Sequence, residues 1–123
     1  LVTEYTVRDI VNAMRENGYT QHFDELFEFD YNGEVIKACA LGQALINLKA
    51  VGPGLGYSFD DKYEVVRQDI LSTITRLNDK EKWPLNKIAN FVDHVYFNDG
   101  NIVVFKEREV AEYLRTGAVT YDG

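Results

Sequence analysis

The chain is poor in sulfur, proline and basic charge. Among its 123 residues are 1 Cys, 1 Met and 2 Pro. A lone cysteine closes no internal disulfide, so nothing asks for an oxidising compartment and a cytoplasmic setting is expected. The longest apolar runs fall far short of the ~20 residues that span a bilayer, so no transmembrane helix is expected. Cys39 and two separated histidines, His22 and His94, give no metal-ligand spacing. Neither a metal nor another cofactor is expected. Basic charge is also scarce: 13 Lys+Arg against 20 Asp+Glu leave a net charge of −7. Counterion release needs Lys and Arg, so direct nucleic-acid binding and attraction to anionic membranes are both disfavoured. A basic partner is favoured instead.

Apolar and aromatic residues are plentiful. With 46% hydrophobic residues, 8 Tyr and 7 Phe, one core can form. The expectation is a compact α+β fold, mainly helical, of about five helices with a small β element. Residues 1–117 would make a single domain and 118–123 a loose tail.

Thr6 suits the cap of a first helix whose Val7, Ile10, Val11 and Met14 share a face, ended by Gly18. Phe27, Phe29 and Tyr31 alternate with Glu28 and Asp30, which is strand periodicity. Asn32-Gly33 is a tight-turn signal that allows a hairpin returning through Glu34 to Lys37. A helix running from Asn32 to Ala50 competes with it and is slightly preferred, because Val35, Cys39, Gly42 and Ile46 would then align. Ser58 would cap a long third helix carrying Phe59, Tyr63, Val66, Ile70, Ile74 and Leu77 as one stripe. "NDKEKW" reads as a loop. Pro84 opens a fourth helix with Leu85, Ile88, Ala89, Val92, Val95 and Tyr96 inward. Ile102 to Phe105 is a β-like run, and Glu107 to Arg115 a short last helix.

Cys39 stands among small residues at an apparent helix start, where catalytic thiols also occur. The segment that follows is apolar nearly all round, which places it mid-domain. Cys39 then acts as a small core hydrophobe. A nucleophile would need a base, for which His22 is the candidate, and an electropositive setting. The neighbours are acidic. "GPGLG" (52–56) lacks both a preceding strand and the Lys-Ser/Thr of a phosphate loop. "DYNGE" and "NDGN" are fragments of calcium loops that turn chemistry explains more simply.

The strongest signal is a charge asymmetry. From Glu16 to Ile36 the chain has six acidic residues and no Lys or Arg. Phe23, Phe27, Phe29 and Tyr31 are interleaved with them. One reading is an acidic wet face backed by an aromatic core face. The other is a docking strip on which acids steer a basic partner and aromatics anchor it, in the extreme a nucleic-acid mimic.

Four short motifs stand in order: "NGYTQ" (17–21), "NG" (32–33), "ACALGQAL" (38–45) and "LNDKEKWPLNKIANFVDHV" (77–95). Together they resemble a family of small uncharacterised phage and actinobacterial proteins. That family has a Gly-Trp-Thr-like start, a Cys-x-x-Gly-Ala helix and an Asn-Asp pair before a final amphipathic helix. Tyr19 replaces the usual Trp, and Gln43 the usual Ala. The resemblance implies a phage-type accessory protein and brings no catalytic residue. The expected function is therefore non-enzymatic binding of a basic host protein through Asp24, Glu25, Phe27, Glu28 and Asp30, acting in the host cytoplasm as an inhibitor or mimic. The alternatives are a small enzyme using Cys39, or a self-assembling structural or virion-associated protein. The stripe from Phe59 to Leu77 could also seat a second copy as a homodimer.

Overall fold

A computed structural model describes residues 4–16, 18–51, 63–96 and 102–107. The order is β1 (Glu4–Thr6), α1 (Val7–Glu16), β2 (Thr20–Gln21), β3 (Phe27–Phe29), β4 (Val35–Ala38) and α2 (Ala40–Asn47). Then come β5 (Tyr63–Val65), α3 (Gln68–Asp79), α4 (Leu85–Tyr96) and β6 (Val103–Glu107). The fold is α+β, with four helices and two three-stranded sheets among the described residues.

One sheet has the order β1-β6-β5, antiparallel throughout. It joins the start of the chain to its far end. Phe105 is its centre, 4.8 Å from the ring of Tyr5 and edge-on to Tyr63 at 5.7 Å. The other sheet has the order β2-β4-β3, with β2 parallel and β3 antiparallel to β4.

The helices pack as their periodicity demands. Val7, Ile10, Val11 and Met14 of α1 are buried. The Thr6 hydroxyl accepts from the Asp9 amide at 3.4 Å, and the Asp9 carboxylate accepts from the Thr6 amide at 2.9 Å. That reciprocal pair is a capping box with Asp in the Glu position. Ala13 of α1 and Ala89 of α4 are both buried, and the Ala13 carbonyl accepts from Asn47 of α2 at 2.8 Å. Pro84 begins α4, its carbonyl accepting from Ile88 at 3.1 Å. Leu85, Ile88, Ala89 and Val92 are buried as expected, but Val95 is exposed. Helix α2 lies centrally, with six of its eight residues buried.

Four expectations need correction. Asn32 starts no helix: residues 30–34 form a hairpin turn. Gly33 has φ 85°, the Gly33 amide donates to the Asp30 carbonyl at 3.0 Å, and the Asp30 carboxylate accepts from the Asn32 and Glu34 amides. A left-handed glycine closing a three-residue loop cannot belong to a helix. The third helix is shorter than its stripe implies. Tyr63 and Val65 lie in β5, where pairing with β6 overrides helical spacing, and the helix begins at Gln68. Asn78 and Asp79 are the last turn of α3 rather than loop. Glu107 ends β6. The rest of the expected last helix, the tail, Ser58, Phe59, "GPGLG" and "NDGN" lie outside the described residues.

Candidate functional site

Residues from three of the four short motifs meet in one buried polar cluster, to which Asn32-Gly33 does not belong. Gln43 is fully buried on α2. Its Oε1 accepts from the Gly18 and Tyr19 amides at 3.2 and 3.3 Å, and its Nε2 donates to the Tyr19 and Ala38 carbonyls at 2.9 and 3.1 Å. Gln43 thus holds the Tyr19 backbone at both its amide and its carbonyl. Asn78 is equally buried on α3. Its Oδ1 accepts from Gln21 Nε2 at 2.8 Å and the Ala40 amide at 3.0 Å. Its Nδ2 donates to the His22 carbonyl at 3.0 Å and Asp79 Oδ1 at 2.7 Å. Gln21 Nε2 reaches on to the Trp83 carbonyl at 2.8 Å.

Each buried amide thus uses its whole hydrogen-bonding capacity on the chain itself. Among the described residues, no buried side-chain nitrogen or oxygen lacks a partner. The cluster joins the β2 segment, the start of α2 and the end of α3. Nothing in it is left over to grip a substrate.

Cys39 belongs to that joint. It is the cap of α2, and its Sγ accepts from the Gly42 amide at 3.3 Å. Burial pushes the thiol pKa up from its ordinary 9.0, further than backbone donors such as the Gly42 amide bring it down. Such a thiol stays protonated at neutral pH and is a poor nucleophile. His22 is next to Cys39 by strand register, since its amide donates to the Ala38 carbonyl. Its imidazole nevertheless lies 3.7 Å from Glu25, not on the sulfur. His94 is exposed on α4. No group of three His, Cys, Asp or Glu among the described residues could hold a metal.

The acidic strip becomes the β3–β4 hairpin and the loop before it. Asp24 and Glu25 are exposed in that loop, Asp24 with φ 73° and its amide donating to Asp79 Oδ1 at 2.9 Å. Phe27 is half-buried, packed on the core and 6.0 Å from Phe29. Glu28 projects on the other face, 3.8 Å from Lys37. Asp30 is held by the turn. The five are neighbours on one element, but Phe27 and Asp30 serve the fold itself.

The apolar residues of this element are more exposed than their interleaving with acids suggests. Tyr31 at the hairpin tip is 98% exposed, Ile36 45% and Leu26 39%. A signal for Tyr31 existed: a residue directly before Asn-Gly sits in the turn and cannot reach the core. Charge from elsewhere folds back on part of the strip, with Lys82 lying 4.5 Å over the Phe23 ring. No helix among the described residues is long and apolar enough to cross a membrane. No family model, curated protein or solved structure matches the chain.

Proposed function

We propose that the chain is a non-enzymatic binding protein that docks on a basic protein through the β3–β4 hairpin. The observation that carries this reading is Tyr31, almost wholly in solvent on a turn pinned by Asp30. Tyrosine is a frequent interface anchor, and a pinned turn loses little entropy on binding. Glu34 lies in the same turn, Glu28 on the adjoining strand and Glu25 in the loop before it, and together they would steer a cationic surface. Leu26 and Ile36 add apolar area near those acids. The phage-type setting, with a host protein as the target, rests on the motif resemblance alone.

The test is an affinity capture from host lysate at low and moderate salt with three proteins. These are the wild type, the triple reversal Glu25→Lys/Glu28→Lys/Glu34→Lys, and Tyr31→Ala. The expected result is one basic protein that is lost from both variants while their thermal melts stay cooperative. A protein captured equally by all three would show that the hairpin is only a solvated face.

A further inference from the structure

A groove of about 570 Å³ runs between α1 and α4, within the size range of small-ligand sites. Arg8, Asn12 and Arg15 line it from α1, and Asn90, Asp93 and His94 from α4. The first three are spaced i, i+4, i+7 and the second three i, i+3, i+4, so each set forms one stripe beside the buried seam. Two guanidiniums thus face one carboxylate in a chain whose net charge is −7.

The Arg15 guanidinium is held in place. Its Nη2 donates to Asn90 Oδ1 at 2.8 Å and stands 3.6 Å from Asp93. Arg8 has a partner of its own. A guanidinium has five N–H donors, so a partnered arginine still offers donors to an anion. The Asn12 amide and the His94 ring make no hydrogen bond among the described residues.

We propose that this groove binds a compact two-headed anion whose two phosphoryl or carboxyl groups lie apart along α1. Seven residues at 1.5 Å rise set Arg8 and Arg15 about 10 Å apart along the axis. A single small anion reaches one of them well, and a two-headed anion reaches both. Among the described residues lining the groove, Val11 is the one apolar side chain, so the groove offers little apolar surface to a large hydrophobic ligand. Asp93 and the acidic field of the chain oppose a longer polyanion such as nucleic acid.

Calorimetric titration of the full chain at low salt with pyrophosphate, succinate and inorganic phosphate tests this. At least one two-headed anion should saturate the protein, and which one does identifies the phosphoryl or the carboxyl source. Inorganic phosphate should bind about tenfold more weakly. Arg8→Gln and Arg15→Gln should each weaken binding about tenfold while melting cooperatively. Tyr31→Ala should leave it unchanged, which separates this site from the hairpin. No saturation by either two-headed anion, equal binding of inorganic phosphate, or unaltered binding by the arginine variants would overturn the proposal.

Discussion

Consider replacing Gly42 by alanine. The new Cβ would stand 2.5 Å from the Leu26 carbonyl oxygen and 2.9 Å from Cε1 of Phe27. The carbonyl cannot retreat freely, because it accepts from the Cys39 amide at 2.9 Å. The Phe27 ring is packed against the core. Overpacking of this kind costs about 1–3 kcal/mol. Weakening the Cys39–Leu26 hydrogen bond adds roughly 0.5–1.5 kcal/mol. Against both stands helix propensity, which favours alanine over glycine by roughly 1 kcal/mol in a helix interior, and by less near the cap. The balance is a loss of about 1–3 kcal/mol. Urea unfolding followed by the fluorescence of the single tryptophan, Trp83, gives the number. Gly18→Ala is the control: nothing lies within 4 Å of its added Cβ, so it should be neutral or stabilising by about 0.4–1 kcal/mol. If Gly42→Ala equals or exceeds the wild type, close approach is not what requires glycine here, and propensity has won.

Asn78→Ala should be more damaging, at roughly 3 kcal/mol or more by urea unfolding. It leaves the buried Ala40 amide without a partner and takes one from the half-buried His22 carbonyl and Gln21 side chain, besides opening a cavity. The Cys39 thiol should resist alkylation in native protein and react only on unfolding; fast native labelling would contradict its burial. Its raised pKa also fixes a sign. The folded state holds the proton that the unfolded thiol releases, so this contribution to stability is full below pH 9.0 and falls as pH rises beyond it. Alkaline melts of wild type and Cys39→Ala should converge if that is so. Asp30→Ala should cost about 1 kcal/mol through its two turn bonds. The triple Glu reversal on the hairpin and the loop before it should change stability by only about 0.5 kcal/mol. Paired thermal melts separate these two roles.

Local information was enough for α1 and α4. Their buried faces, the Thr6 cap and Pro84 follow from spacing and from side chains within one turn. It also showed the run of acids, but at Asn32-Gly33 the turn signal lost to the helical alignment of Val35, Cys39, Gly42 and Ile46, and the structure has the turn. It was not enough for Val35–Ala38 or Tyr63–Val65. Both carry side chains that fit a helical stripe equally well, and both became strands because a partner strand was available. For β5 that partner is β6, about forty residues further on. Gln43 and Asn78 show the same limit. In sequence each is an ordinary polar residue among apolar ones. Their partners lie up to 25 and 57 residues away, and only the packing of β2, α2 and α3 brings those groups into reach. Periodicity and capping are short-range properties, readable in sequence order. Strand pairing and the satisfaction of buried amides depend on which distant segments meet, and that is settled only when the chain closes on itself.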